Sequence, residues 1–168
     1  CTVEPPATDD AAAPAEYILR RGDEASEALA RFDTRGAAAY VYNPLEYARA
    51  SWATYLRRYA ASRKRVVFLG MNPGPWGMAQ TGIPFGEVSA VRDWLGIEET
   101  VGQPEMMHPK RPIEGFSCEK SEVSGRRLWT LFRERFGTAA RFHEEHLVLN
   151  YCPLVFMGET GRNITPDA

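Results

Sequence analysis

Cysteine is scarce in this chain of 168 residues. Its three cysteines, Cys1, Cys118 and Cys152, lie far apart, which argues against both a disulfide framework and a zinc cluster. No apolar run approaches the roughly 20 residues that a membrane-spanning helix requires. The first residues also lack the basic and apolar segments of a secretory signal. The sequence therefore predicts a protein of a reduced, intracellular compartment that does not associate with membranes.

Basic side chains are not in excess, since the formal net charge is −2. The charge is unevenly distributed, however, because residues 57–168 contain 15 Lys and Arg against 13 Asp and Glu. Lys110 and Arg111 form one of several doublets in this mildly basic part that are candidates for contacts with the phosphates of DNA, and solvated helix ends are the alternative interpretation. Arginine outnumbers lysine by 17 to 3, which favours a bacterial source and hence the cytoplasm or nucleoid.

The hydrophobic pattern predicts alternating helices and strands of one α/β domain. Residues 1–15, rich in Ala and Pro, are expected to form a flexible arm. Two short apolar runs, 65–70 and 146–150, have the composition of strands that are buried on both faces of a parallel sheet. Capping residues and apolar periodicity predict helices at residues 16–32, 44–59, 88–95 and 121–136, with Asn43 as an N-cap and Gly137 as a C-terminal cap.

The most informative segment follows the first predicted strand. From Gly70 to Gly86 the chain is rich in glycine and proline, which together prevent a long regular element. Asn72 lies just after the strand, at the edge of a parallel sheet where ligands of open α/β folds bind. The second strand ends in the same way, on Asn150. The sequence therefore predicts a binding site in the loop that begins at Gly70.

The last residues are interpreted as the start of a further helix. Asn163 offers a cap, and Pro166 and Asp167 suit a first helical turn. A parallel sheet with only two strands would also leave an unpaired edge, which natural folds avoid. We therefore expect residues 16–168 to be the N-terminal and central part of a single domain that continues beyond residue 168.

The segment from Gly70 to Val88, GMNPGPWGMAQTGIPFGEV, resembles the first active-site motif of the single-strand-selective monofunctional uracil-DNA glycosylases. These enzymes are members of the uracil-DNA glycosylase superfamily. The resemblance covers most of residues 40–168, and it continues in the segments YNPLEY (42–47), RDWLG (92–96), HPKRP (108–112), SEVSG (121–125), NYCPL (150–154) and TGRN (160–163).

The resemblance implies a three-layer α/β/α fold around a central parallel sheet of four strands, incomplete in this chain. It also implies hydrolysis of the N-glycosidic bond of uracil in DNA, which initiates base excision repair. The implied partner is single- or double-stranded DNA that contains uracil or a modified uracil. The protein would act as a monomer without a metal ion or organic cofactor, in the nucleus if the source is eukaryotic.

The resemblance also implies roles for individual residues. By similarity, Asn72 would be the catalytic residue that positions the attacking water. Met71 and Gly74 would line the pocket with their backbone, Phe85 would stack on the base, and Asn150 would contact the edge of uracil. The second motif of the family, a His-Pro-Ser type of loop, is not found, since the HPK segment at 108–110 does not match it in position.

The chemistry of the reaction suits these residue types. Glycosidic cleavage passes through an oxocarbenium-like sugar, so stabilising the departing uracil anion matters more than a strong nucleophile. Asn72 is too weakly basic to remove a proton early, and we expect it to orient the water. The amide of Asn150 can accept from uracil N3–H and donate to O4, whereas cytosine offers the opposite pair. Phe85 would supply a stacking face for a base flipped out of the helix.

Two functions of other classes stay open at this stage. A non-catalytic module that binds DNA lesions would share the pocket and lack the second motif. A nucleotide-binding regulatory domain would share the glycine-rich loop after a strand, although this loop lacks the Gly-Lys-Ser/Thr ending and the Gly-x-Gly-x-x-Gly spacing of phosphate-binding loops. A metal site at His143 and His146 is disfavoured, because helical zinc ligands are four residues apart.

Overall fold

Two small sheets organise the part of the chain that the computed structural model describes, residues 14–30 and 38–166. The predicted arm falls mostly outside this part, in residues 1–13. The described elements are α1 (Pro14–Ala30), β1 (Tyr40–Tyr42), α2 (Pro44–Tyr47), α3 (Arg49–Tyr59), β2 (Val66–Gly70), α4 (Met78–Thr81), α5 (Val88–Asp93), a 3₁₀ turn (Gly115–Ser117), α6 (Val123–Phe136), α7 (Ala139–Glu145), β3 (His146–Asn150), β4 (Val155–Met157) and β5 (Asn163–Ile164).

The two predicted strands are confirmed as the parallel pair β2 and β3. Val66 is in register with His146 and Gly70 with Asn150, so both strands end at the same edge. α3 is attached to this pair, because the Tyr55 hydroxyl donates to the carbonyl oxygen of Val148 at 3.0 Å. The mixed α/β class is therefore confirmed, whereas the described residues contain no parallel sheet of four strands.

The prediction that β2 is buried on both faces is wrong for the described part of the chain. Val67 is 50% exposed and Leu69 is 59% exposed. Within the described residues β2 has one partner strand, β3, which leaves its other edge unpaired. By contrast, Leu147 and Val148 of β3 are buried. The apolar run thus indicated the strand, but burial depends on neighbours that a local pattern does not specify.

The second sheet is antiparallel and was not predicted. Its strand order is β1-β4-β5, with Tyr40 opposite Met157 and Met157 opposite Asn163. Asn163 and Ile164 are therefore in a strand, and the interpretation of Asn163 as a helix cap is wrong. Residues 167 and 168, which completed that interpretation, lie outside the described residues.

The predicted helix at 44–59 is divided in two at Ala48. Its start is as expected, because the Asn43 side chain accepts a hydrogen bond from the Leu45 amide at 3.2 Å and Pro44 opens the helix. The division follows from a tertiary contact: the Tyr47 carbonyl accepts a hydrogen bond from the Gly102 amide at 2.7 Å. Ala48 accordingly leaves the helical conformation, with φ −111° and ψ 28°.

The other predicted helices are present with small changes in their bounds. α1 begins at Pro14 and passes through Gly22 without a break. α5 and α6 occupy their predicted positions, and Gly137 ends α6 with a φ of 74°. Two helices were not predicted: α4 is a single turn within the glycine-rich loop, and α7 connects α6 to β3. None of the described helices has the length and apolar character needed to cross a bilayer.

An aromatic core joins α3, α6 and α7. Trp129 is almost fully buried, as expected for the apolar face of α6, and so is Phe142 of α7. The rings of Phe132 and Phe142 stack with their centroids 4.2 Å apart, and the His143 ring stacks on Tyr59 at 4.0 Å. Because Phe68 of β2 packs against Phe132 at 5.0 Å, this core also fixes the position of the parallel pair and of the loop that follows it.

Candidate active site

The site loop leaves the carboxyl end of β2 beside the carboxyl end of β3. The register of the strands places Gly70 next to Asn150. Beyond the sheet the two segments stay together, because the Tyr151 amide donates to the Gly70 carbonyl at 2.8 Å and the Cys152 amide donates to the Met71 carbonyl at 2.9 Å. The predicted residues of both strand ends therefore lie at one edge of the sheet, where α/β folds bind ligands.

The side chains of Asn150 and Phe85 meet above the backbone of Gly70. A Cβ atom at position 70 would lie 2.5 Å from Asn150 Oδ1 and 2.6 Å from Phe85 Cε2. Side chains cannot approach a real Cβ so closely, so only glycine allows this arrangement. Two residues that are 65 positions apart in the chain thus lie together at the candidate site. Gly70 was not among the predicted site residues, although its place at the end of β2 was visible.

Phe85 has a strained backbone. Its φ of 54° is the only positive value among the described non-glycine residues, and bulky residues rarely adopt this conformation. Two hydrogen bonds hold it, because the Phe85 carbonyl accepts from Trp129 Nε1 at 2.9 Å and from the Glu87 amide at 2.8 Å. Strain of this kind persists only where the surroundings impose it, and it is frequent at binding sites. α6 therefore helps to fix the backbone from which the Phe85 ring projects.

Trp129 and Gly125 contact the candidate site, and neither was among the predicted site residues. Trp129 was assigned to the core, and it is indeed 1% exposed, but it also holds the Phe85 carbonyl. Gly125 brings the first turn of α6 against the same carbonyl, so closely that a Cβ would overlap the oxygen. A tryptophan in an apolar helix stripe carries no signal of such a bond, because the distance along the chain is 44 residues.

The Asn150 side chain is oriented by the first residue of α4. Its Nδ2 atom donates to the sulfur of Met78 at 3.2 Å. Met78 is buried, with 2% of its surface exposed. A thioether is a weak acceptor, but the contact directs Nδ2 away from Gly70 and leaves Oδ1 beside Phe85. α4, which interrupts the predicted irregular loop, thus positions the amide.

The other three predicted site residues of the loop differ in their burial and in their neighbours. They are Met71, Asn72 and Gly74. Asn72 is half-buried, and its Nδ2 atom donates to the Ile164 carbonyl of β5 at 3.4 Å. Met71 is 49% exposed. Gly74 faces the start of α6, since a Cβ there would lie 3.1 Å from Glu122 Oε1. The structure therefore connects Asn72 to the antiparallel sheet, and it joins Asn150 and Phe85 in a separate contact.

Glu122 is a carboxylic acid that the loop covers with glycines. Its carboxyl group lies against the Cα positions of Gly74, Gly77 and Gly125, and a Cβ at Gly77 or Gly125 would overlap it. Its Oε2 atom has no hydrogen-bond partner among the described residues. Burial raises the pKa of this carboxyl group, and the charge of Glu87 acts in the same direction against a backbone hydrogen bond from Gly125. The glycines of the loop therefore also serve to admit this side chain.

Lys110 and Arg111 lie on a loop beside the site. The Arg111 guanidinium carbon is 5.0 Å from the centre of the Trp76 ring, and Trp76 belongs to the site loop. Lys110 is exposed. In the described part of the chain, His, Cys, Asp and Glu side chains form no group of three that could hold a metal ion.

Comparison with known proteins identifies relatives for most of the chain, although no protein-family model matches it. A single-strand selective monofunctional uracil DNA glycosylase of Bos taurus is 48% identical over 152 residues, which are 90% of this chain and 56% of the relative. The enzymes of the same name from Rattus norvegicus and Mus musculus are 53% and 52% identical over 126 residues, or 75% of this chain and 45% of each relative. The chain is a homologue of these glycosylases.

The resemblance to single-strand-selective monofunctional uracil-DNA glycosylases, predicted from short motifs, is therefore confirmed over most of the chain. The chain spans about half the length of the curated relatives it matches. Its fold is similar to the crystal structure of wild-type Pedobacter heparinus SMUG2, with a TM-score of 0.58 over 91% of this chain and 59% of that chain. At 16% identity this likeness supports the shared α/β fold and nothing finer.

Proposed function

We propose that this chain forms the uracil pocket of a DNA glycosylase that flips uracil out of DNA and hydrolyses its N-glycosidic bond. One observation supports the proposal most: the Asn150 carboxamide and the Phe85 ring converge above Gly70. They do so in a chain about 50% identical to proteins named uracil-DNA glycosylases. The proposal concerns the complete gene product, because this chain spans about half the length of its relatives.

Base recognition depends on Asn150. Its Oδ1 atom lies beside Phe85 and is free to accept a hydrogen bond from uracil N3–H. Its Nδ2 atom carries two hydrogens, so it can donate one to Met78 and the other to uracil O4. Cytosine would place an acceptor opposite Oδ1 and a donor opposite Nδ2, which leaves both atoms unpaired. Stacking on Phe85 would add about 1–3 kcal/mol for either base, so the discrimination comes from the amide.

Asn72 is the proposed catalytic residue. It follows Gly70 by two residues and is half-buried at the carboxyl edge of β2. Its hydrogen bond to the Ile164 carbonyl uses Nδ2 and leaves Oδ1 available to accept from a water molecule. In this role Asn72 orients the water while the sugar becomes cationic, and the backbone of Met71 and Gly74 lines the space between them.

The proposed partner is uracil-containing DNA, with Lys110 and Arg111 contacting its backbone. Both single strands and duplexes are substrates in this proposal, as are modified uracils. The enzyme acts as a monomer without a cofactor, in the bacterial cytoplasm or nucleoid, or in the nucleus of a eukaryote. Its complete fold contains a central parallel sheet of four strands, which the unpaired and exposed edge of β2 supports.

The proposal is tested with the complete gene product and a labelled single-stranded oligonucleotide that contains one uracil. We expect release of free uracil, and we expect Asn72→Ala to slow the single-turnover rate by about 100-fold or more, the scale for losing one positioned group. Gln103→Ala is a matched control, because Gln103 is another amide, exposed and outside the pocket. An oligonucleotide with cytosine in place of uracil should be left intact.

Two outcomes would contradict the proposal. DNA binding without any release of uracil would identify a lesion-binding module. Release at the same rate by the wild type and by Asn72→Ala would remove Asn72 from the mechanism while leaving the glycosylase activity itself.

A further inference from the structure

Trp76 of the site loop holds two cationic side chains from distant parts of the chain. The Lys120 ammonium nitrogen lies 4.1 Å from the centre of the Trp76 ring, and the Arg111 guanidinium carbon lies 5.0 Å from it. Such cation–π contacts are attractive, so the ring offsets part of the repulsion between two like charges. We call Trp76, Lys110, Arg111 and Lys120 the Trp76 cluster.

The cations of the Trp76 cluster form no ion pair within the part of the chain that the structure describes. None of the ion pairs among the described residues includes Lys110, Arg111 or Lys120. Lys110 and Lys120 are exposed, whereas Arg111 is half-buried. Arg111 is also fixed, because Nε donates to the Gly161 carbonyl at 2.9 Å and Nη1 donates to the Lys110 carbonyl at 3.2 Å. The cluster is thus an organised group of positive charges that form no ion pair with the described residues.

A buried glutamine fixes the cluster relative to the active site. Gln80 is fully buried, and its Nε2 atom donates to the carbonyls of Pro75 and Pro112, each at 3.0 Å. Pro75 precedes Trp76 in the site loop, and Pro112 follows Arg111. Gln80 Oε1 also accepts from the Glu114 amide at 2.8 Å. The segment that carries Lys110 and Arg111 is therefore bound to the same loop as Asn72.

We propose that the Trp76 cluster is a phosphate-binding site for the DNA strand next to the flipped uracil, with Lys120 and Trp76 as members in addition to Lys110 and Arg111. This inference rests on the proposed function. Lys120 supplies an exposed charge, Arg111 a fixed one, and Trp76 holds the two together. Because they lie beside the site loop, a phosphate bound here would position the strand while its base occupies the pocket.

The test is the salt dependence of binding to a fluorescent single-stranded oligonucleotide without uracil, measured with the complete gene product. Each lost phosphate contact on a single strand reduces the slope of log K against log salt by about 0.7. We expect this reduction for Lys120→Gln and again for Lys110→Gln. Trp76→Leu should also reduce the slope, since Lys120 loses the ring that holds it, and its thermal unfolding shows whether the fold is retained.

Arg63→Gln is the matched control. Arg63 is exposed and lies in the loop before β2. It is therefore near the amino ends of the parallel strands, whereas the site is at their carboxyl ends. No ion pair among the described residues includes it. We expect the wild-type slope for this variant. Wild-type slopes for both Lys120→Gln and Lys110→Gln, in a protein that still releases uracil, would overturn the cluster but leave the proposed function. A wild-type protein that neither binds DNA nor releases uracil would overturn both.

Discussion

Gly70 shows how one missing side chain can let two others meet. Its register with Asn150 brings the two strand ends together, and the absence of a Cβ lets the Asn150 carboxamide and the Phe85 ring occupy the same space above the backbone. The bond from Trp129 then holds the Phe85 backbone, with its strained φ, in the conformation from which the ring projects. The arrangement of Asn150 and Phe85 therefore depends on a residue that makes no side-chain contact of its own.

Gly70→Ala should consequently damage the pocket more than the fold. The new methyl group would have to displace either the Asn150 amide or the Phe85 ring, because both lie within 2.6 Å of its position. We expect uracil release to fall by about tenfold or more, since misplacement by about 1 Å has effects of this size or larger. Single-turnover release measures the rate, and circular dichroism measures the retained structure.

Gly158→Ala is the control for this substitution. A Cβ at Gly158 would meet only the side chain of Ile164, at 3.9 Å, which is ordinary contact. Its rate should equal that of the wild type. If Gly70→Ala also retained the wild-type rate, the convergence above Gly70 would have no part in recognition.

At the scale of elements, two glycines on helices make opposite contributions to stability. Gly22 lies inside α1, and a Cβ there would be in ordinary contact with Leu45 and Trp52 at 3.5 Å. Gly137 ends α6 with a φ of 74°, and no other atom lies within 4 Å of its Cβ position. Space permits alanine at both positions, but the backbone permits it only at Gly22.

Gly22→Ala should therefore stabilise the protein by about 0.5–1 kcal/mol, because alanine loses less backbone entropy in a helix. Gly137→Ala should destabilise it by about 1–3 kcal/mol, the cost of a sparsely populated backbone conformation with positive φ for a residue with a Cβ. Denaturant unfolding of the two variants measures both changes. Effects of the same sign would contradict this account, in which backbone conformation and not free space decides the result.

Helices and strands with strong local signals were predictable from the sequence. Asn43 and Gly137 mark their helix ends by their own chemistry, and the apolar runs of β2 and β3 indicate strands wherever they pack. The division at Ala48 and the antiparallel sheet depend on distant partners, Gly102 for the first and the pairing of β1 with β4 for the second. Local pattern contains no information about such partners.

The candidate site likewise has residues that the sequence predicts and contacts that it does not. Asn72, Phe85 and Asn150 were assigned from their motif, and the structure places all three at or beyond the strand ends. The support behind them was not predictable: Met78 orients Asn150, Trp129 holds Phe85, and Glu122 lies beneath the loop. Each of these contacts joins residues more than 35 positions apart, so it exists only after the chain has folded.

At the scale of the whole molecule, His143 connects stability to pH. Its ring stacks on Tyr59 at 4.0 Å and packs edge-on against Phe142 at 4.7 Å, within the core that joins α3, α6 and α7. Nδ1 donates to the Ala139 carbonyl at 2.8 Å, and Nε2 has no partner among the described residues. Burial lowers the pKa of His143 from 6.5 to about 4, because the core offers nothing to solvate an imidazolium charge.

The lowered pKa fixes the sign of the pH effect. Between pH 6.5 and about 4 the unfolded chain binds a proton at His143 that the folded chain does not, so stability falls as the pH decreases through this range. The full loss corresponds to about 3 kcal/mol. Above pH 6.5 the imidazole is neutral in both states and this contribution to stability is fully present.

His143→Phe should remove this dependence while keeping the ring stack on Tyr59. We expect the free energy of unfolding of the wild type to fall by about 3 kcal/mol more than that of the variant between pH 7 and pH 4. Denaturant unfolding at a series of pH values measures the difference. Comparison of the two proteins is necessary because burial raises the pKa of Glu122, which stabilises the fold at low pH and acts in the opposite direction. Parallel pH profiles would show that His143 binds its proton equally well in the folded and the unfolded chain, so that the aromatic core does not lower its pKa.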